Sequence, residues 1–285
     1  MSPEPGWKRS VHVDAAFGPA PLGEMLSSAR AVGCDQIELS VGLQAHLAID
    51  TSQSACTALA EQIRSAGLLV SALVLDGPSA GSLLCSQGEA RQRAMEQTVV
   101  ALDLAACLGT DVVILPIGAA GAGLHGRSSQ DSPPASTSYE DTYALALDAL
   151  LSLRFEAERR AVHLACQNNP RRFLLSLIET RDFIDRVNSP WVRLCFDLDG
   201  ALAWGDPLDW IAGLGHRIIR VGFGPLALGV RGAGHESAPT SETSVDWPRI
   251  RSALRGIRYD APLTYHGRID EVGGFKGRFD RVFGL

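Results

Sequence analysis

The chain reads as a single α/β barrel of eight strand–helix units, and three observations in its 285 residues predict that fold. Short apolar runs alternate with longer amphipathic segments, the pattern of repeated βα units around a parallel sheet. Glycine stands at three helix-to-strand joints, Gly33 before CDQIELS, Gly67 before LLVSALVL and Gly109 before TDVVILP, where a left-handed residue ends a helix. The first strand is followed by AAFGPAPLGE, which lacks the GxGxxG loop that an open dinucleotide-binding sheet would carry. Eight units in one chain favour closure into a barrel.

Strands are expected at Ser10–Ala15, Gln36–Ser40, Leu69–Val74, Val112–Pro116, Val162–Gln167, Val192–Asp197, Ile218–Gly222 and Pro262–His266. Between them, apolar residues at three-to-four spacing predict helices at Pro21–Val32, Ser52–Ala66, Glu89–Leu108, Tyr139–Glu158 and Phe173–Val187. Residues 1–9 read as a flexible arm on a single domain spanning 1–285. Gly118–Ser138 and Leu226–Ser244 are loop-like, the first rich in Gly, Ser and Pro. They follow the fourth and seventh strands, so both are expected over the C-terminal face, where barrels bind ligands.

With 46% hydrophobic residues the chain can bury a large core. A formal charge of −6 and a pI near 5.6 leave no basic surplus for nucleic acid and favour a small neutral or modestly charged ligand. The 6 cysteines form no CxxC, which argues against zinc ribbons and secreted disulfide frameworks; Cys166 and Cys195 read as small buried hydrophobes. The start, MSPEPGWKRS, has no signal-like apolar run, and no stretch approaches the roughly 18–20 apolar residues of a membrane span. A cytoplasmic protein without membrane partners is the expectation, and self-association into a homo-oligomer is compatible with it. Neither the GxSxG elbow nor the GxxxxGK[ST] loop occurs, so serine-hydrolase and nucleotide-triphosphatase readings lack their local devices.

Residues 166–225 contain CQNNPRRFLLSLIETRDFIDRVNSPWVRLCFDLDGALAWGDP and then HRIIRVGFGP. This resembles the xylose isomerase-like superfamily of TIM barrels, the sugar-phosphate isomerases, epimerases and endonuclease-four-like proteins. In that family successive strands end in Glu-Asn-x-Pro, Asp-x-Gly-His and Val-His-x-x-Asp. GCDQIEL at 33–39 is similar to the family's Gly-x-x-x-Val-Glu-Leu, Val245–Trp247 to its Val-Asp-Trp, and YDAPLTYH at 259–266 to its Tyr-Asp-Gly-Pro-Leu-Thr-x-Glu. The resemblance implies a (β/α)8 TIM barrel and a divalent cation held by Glu, Asp, His and Glu at four strand ends. In the family that cation orients carbonyl and hydroxyl oxygens while carboxylates shuttle a proton.

Carried over by position, those four ligands become Gln167, Asp197, Gly222 and His266, and the substrate-contacting His three residues after Asp197 becomes Gly200. Two carboxylates are lost and one place has no side chain, whereas hard cations draw their affinity from anionic oxygen. The expectation is therefore a site without metal or other cofactor; a rebuilt centre using Asp197, Asp199 and His266 with Gln167 is the alternative.

Asp197 and His266 are the expected catalytic pair, exchanging a proton with the ligand. If Asp199 shares the strand end with Asp197, two-residue spacing places both carboxylates on one side, where mutual repulsion raises one pKa. The competing reading makes Asp199 a helix cap and Asp197 an acceptor of backbone donors. Gln167 and Asn169 supply neutral hydrogen-bonding groups suited to hydroxyls, Asp199 and Glu38 are expected to position the ligand with them, and Trp204 reads as a packing residue placed near enough to the sixth strand end to stack on a sugar ring. His12 and Asp14 alternate on the first strand and read as a structural pair, and the other five histidines have no spacing that demands catalysis. The expected function is isomerisation, epimerisation or elimination on a small polyhydroxylated metabolite by metal-independent acid–base chemistry; the alternative is a non-catalytic ligand- or partner-binding descendant.

Overall fold

A β-strand sends alternate side chains to opposite faces, and a strand covered on both faces becomes an almost continuous apolar run. The computed structural model describes residues 6–42, 45–75, 88–117, 138–167, 173–224, 245–269 and 272–284. Its strands β1 (Arg9–His12), β2 (Gln36–Val41), β3 (Leu69–Leu75), β4 (Val112–Pro116), β5 (His163–Gln167), β6 (Val192–Asp197), β7 (Ile218–Phe223) and β8 (Leu263–Tyr265) close in sequence order into an all-parallel barrel. The seam pairs Val11 of β1 with Tyr265 of β8. This is the (β/α)8 fold the alternation predicts.

The interior is filled by Ala72, Val74, Val112, Ile114, Ala165 and Cys195, with Ile219 packed against them. The opposite face of each strand joins the larger core beneath the helices, including Val11, Ile37, Leu73, Val113, Cys166, Phe196, Val221 and Tyr265. Cys166 and Cys195 are fully buried, and burial pushes the Cys166 thiol up to about 12, so it behaves as packing rather than as a nucleophile.

Local signals explain the element ends. Gly33, Gly67 and Gly109 take φ of 86°, 74° and 77°, the left-handed joints expected at these positions. Ser52, Ser138 and Ser176 each accept the backbone N–H three residues on and so start their helices.

Three expectations are corrected. The first strand stops at His12, and Val13–Phe17 is a short helix, because the Asp14 carboxylate is drawn to the Ser40 N–H at 2.8 Å and to His46. The fifth expected helix begins at Leu177 instead of Phe173, since Ser176 caps it and Leu174 is left-handed with φ of 53°. The arm over 1–9 is not free at its inner end: Trp7 is buried and donates its indole N–H to Tyr259 O at 2.8 Å, and Arg9 opens β1. The expected loops at 118–138 and 226–244 lie outside the described residues, apart from Ser138.

At the N-terminal end of the barrel, Arg220 reaches from β7 across to β3, four strands away around the circle. It donates to Ser71 O through Nε (3.3 Å) and Nη2 (3.0 Å), and Nη2 also meets Asp111 Oδ1 at 3.0 Å. Thr110 adds a bond to the same carbonyl at 2.8 Å, and Ser71 and Ser10 bond side chain to side chain at 2.9 Å. No described helix is long and apolar enough to cross a membrane.

Candidate active site at the barrel mouth

Strand alternation turns His12, Glu38, Gln167, Asp197, Gly222 and Thr264 toward the barrel axis, because their neighbours Val11, Ile37, Cys166, Phe196, Val221 and Tyr265 belong to the outer core. Register brings them to similar heights: His12 lies opposite Glu38, Asp197 opposite Gly222, and Gly222 opposite Thr264. His266 follows β8 directly, held by its backbone N–H to Phe223 O at 2.8 Å. Sequence-distant residues thus converge at the C-terminal end.

Glu38 is the buried acid of this group, with 0% exposure. Both of its oxygens accept, Oε1 from the Thr264 hydroxyl and Oε2 from His266 Nε2, each at 2.8 Å. Burial works against its ionisation, yet the imidazole of His266, His12 and the Thr264 bond together hold its carboxyl below the usual range. Burial likewise works against a charged His266, and Glu38 first, then Asp197 and Asp199, overcome it, so the imidazole titrates above its ordinary value. His12 meets the His266 ring edge-on, with centroids 5.8 Å apart at 76°, and bonds Ser40 Oγ through Nε2 at 2.9 Å.

The second acidic group comes from β6. Asp197 caps the helix Leu198–Trp204, its Oδ1 accepting the Asp199 N–H at 3.1 Å. Asp199 is therefore in the first helical turn and not on the strand, which corrects the two-residue-spacing argument; the capping residue is Asp197. Burial raises the Asp197 carboxyl, against the pull of His266 and the N–H groups of Gly200 and Asp199. Asp199 is pushed up to about 6, by burial first and by Asp197 second, although the Gly224 N–H bonds it. Its Oδ1 is buried without a partner among the described residues. Asp197 weighs on the Asp199 carboxyl through this helix geometry.

β7 contributes backbone alone. A Cβ built at Gly222 would fall 2.7 Å from Nδ1 and 3.2 Å from Nε2 of His266 and nearer still to Cε1; at Gly224 it would strike Asp199 Oδ2. The two glycines are thus the surfaces against which the imidazole and the second carboxylate rest.

Gln167 ends β5 and is partly exposed at the mouth. Asn169 and the side chain of Trp204 lie outside the described residues. One residue that sequence reasoning passed over is His46, in the connection after β2: Nδ1 meets Asp14 Oδ1 at 2.7 Å and Nε2 meets Ala20 O at 2.9 Å. Both partners are acceptors, an arrangement that favours the charged ring, and its pKa is raised chiefly by the Asp14 bond. Its place after a strand's C-terminal end was the available signal. His12 and Asp14 do approach, at 3.9 Å, but Asp14 is committed to Ser40 and His46.

The divalent cation implied by the family resemblance does not fit these residues. Gly222 has no side-chain donor atom, His266 presses on it and gives Nε2 to Glu38, and Gln167 is neutral, so Asp197 is the one anionic ligand kept at the four positions. Among the described residues, no three His, Cys, Asp or Glu side chains are grouped to hold a metal ion.

The raised Asp199 yields a stability prediction. Its ionised form is disfavoured by folding, so Asp199→Asn is expected to raise the Tm relative to the parent above pH 6 and to leave it nearly unchanged near pH 4. Thermal scans across that range measure it, and a Tm difference independent of pH would contradict the shift.

A family model described as xylose isomerase-like TIM barrel matches residues 26–271. Among solved structures, the 3-keto-D-glucoside 4-epimerase of E. coli superposes with a TM-score of 0.72 at 16% identity, covering 98% of this chain and 100% of that one. A D-psicose 3-epimerase in the presence of D-fructose gives 0.70 at 16%, covering 95% and 90%. An AP endonuclease of family 2 from Brucella melitensis gives 0.66 at 17%, covering 94% and 96%. At such identities the structural likeness speaks for the fold alone. No curated protein matches the sequence.

Proposed function

Because the chain belongs to the xylose isomerase-like TIM-barrel family, we propose that it is a divergent isomerase or epimerase that moves a proton on a small polyhydroxylated carbonyl compound without a metal. The observation that carries this reading is the convergence at one mouth of a coupled carboxyl pair, Asp197 and Asp199, with a carboxylate–imidazole pair, Glu38 and His266. The sugar epimerases among the structural neighbours support the choice of ligand class.

In this reading the ionised member of the Asp197–Asp199 pair takes the proton from the carbon beside the substrate carbonyl. The C–H bond breaks, an O–H bond forms on the carboxyl, and the electron pair moves onto the carbonyl oxygen as an enediolate. Return of a proton to the opposite face of the same carbon, with the electron pair on oxygen re-forming the original C=O, gives the epimer. Return to the former carbonyl carbon, with the hydroxyl proton passing to the other oxygen so that the C=O forms on the carbon that lost its proton, gives the isomer. A group with a pKa of about 6 is suited to both halves near neutrality. Gln167 binds hydroxyls at the rim, and Glu38 acts through His266.

The test is loss of the substrate's carbon-bound proton signal in deuterium oxide, followed by proton NMR over a panel of ketoses and aldoses after chelator treatment. Exchange in the parent is expected to survive chelation and to fall about 10²–10⁴-fold in Asp197→Asn and Asp199→Asn. Exchange that vanishes with chelator and returns with a divalent cation would overturn the metal-free mechanism. The engagement of Asp197 as a helix cap favours one second reading, a ligand-binding descendant, and binding without exchange across the panel would select it.

A further inference from the structure

We propose that the imidazolium of His266, seated on the bare backbone of Gly222 and paired with the sealed carboxylate of Glu38, is a built-in cation that receives the oxygen on which negative charge collects during proton transfer. This deepens the proposed function and rests on it for the reaction, though not for the cation itself.

Four observations lead there. First, the ring occupies the volume that any side chain at 222 would enter, with Nδ1 2.7 Å and Nε2 3.2 Å from the position of a Cβ. Placement is therefore set by steric fit on one side and a hydrogen bond on the other. Second, Glu38 accepts at both oxygens, from the Thr264 hydroxyl and from His266 Nε2, so neither oxygen needs a proton of its own to be satisfied. A fully buried carboxylate of that kind requires a counter-charge, and His266 is its hydrogen-bonded basic partner.

Third, the pair is asymmetric toward the mouth: the His266 side chain is 18% exposed and that of Glu38 1%. A ligand entering the barrel meets the positive member and not the negative one. Fourth, the remaining charged or titratable neighbours leave that polarity intact. Asp197 and Asp199, from the β6 side, favour the charged ring, and His12 packs edge-on while bonding Ser40.

With Nε2 given to Glu38, the second ring nitrogen is the donor left for an incoming oxygen. A charge-assisted N–H held in place before the reaction stabilises an oxyanion without reorganisation, an effect on the order of 10²–10³-fold in rate for one such donor. His266 would thus be a catalytic residue and Glu38 a positioning residue.

The experiment is side-chain ¹⁵N NMR of the histidine-labelled, chelator-treated full chain, with His266→Gln to assign the resonance. The parent ring is expected to carry protons on both nitrogens at pH 6, and Glu38→Gln to lower the pH at which the ring loses one of them. Glycolate, an α-hydroxy carboxylate, is the probe for the receiving oxygen and is expected to shift the His266 resonances. A neutral ring in the parent at pH 6, or resonances unmoved by saturating glycolate, would overturn the proposal. Should Glu38→Gln fail to fold, the parent spectrum and its glycolate titration still decide. Absence of carbon-proton exchange from every sugar, beside a charged glycolate-sensitive ring, would remove the proposed reaction and leave the cation standing.

Discussion

Replacing His266 with alanine is expected to destabilise the fold by about 3–5 kcal/mol, the range for breaking a buried ion pair from one side. Glu38, at 0% exposure, would keep its bond to Thr264 but lose its counter-charge. The double variant Glu38→Gln with His266→Ala is expected to recover much of that loss, because no unpaired charge remains. Urea unfolding of the two variants and the parent measures both effects, and a His266→Ala cost below about 1 kcal/mol would show that the pair is not an ion pair.

The same pair sets a pH window. His266 titrates above the 6.5 of an ordinary imidazole, so its contribution is complete below that value and is lost as the pH rises through the folded pKa. Glu38 titrates below 4.5, so its contribution is present above that value and is lost as the pH falls through the folded pKa. The stability difference between parent and His266→Ala is therefore expected to be greatest between pH 4.5 and 6.5.

Alanine at Gly222 is the second large effect. The added methyl would lie 2.7 Å from His266 Nδ1, so the ring must swing away and surrender its bond to Glu38. Overpacking of this kind costs about 1–3 kcal/mol. In a His266→Ala background the same methyl enters empty space, and its cost is expected to drop below about 0.5 kcal/mol. Equal costs in the two backgrounds would place the imidazole elsewhere.

Much of this architecture was legible in the amino-acid sequence because a buried parallel strand is a local signal. β4 and β6 occupy the spans that their apolar runs predict, and Gly33, Gly67 and Gly109 are left-handed where the joints require it. β1 was over-extended because the apolar pattern continues past His12, while the feature that ends the strand, the reach of Asp14 to Ser40 and His46, is tertiary. Asp197, Glu38 and His266 were legible as strand-end residues. Their grouping was less so: Glu38 and His266 are 228 positions apart, and only barrel closure through the β1–β8 seam makes them partners. The dependence of His266 on Gly222 was hidden for a further reason, since a missing side chain carries no pattern until a neighbour's ring is seen to fill its place.

The Arg220 crossing has an implication for how such a protein changes over time. Its guanidinium ties β7 to the Ser71 carbonyl on β3 and to Asp111, at the end of the barrel away from His266 and Asp199. A hoop braced across its diameter at one rim resists ovalisation there without help from the other rim. Substitutions at the mouth then draw on a separate reserve of rigidity, so a chain built this way can exchange one set of polar groups for another and remain round.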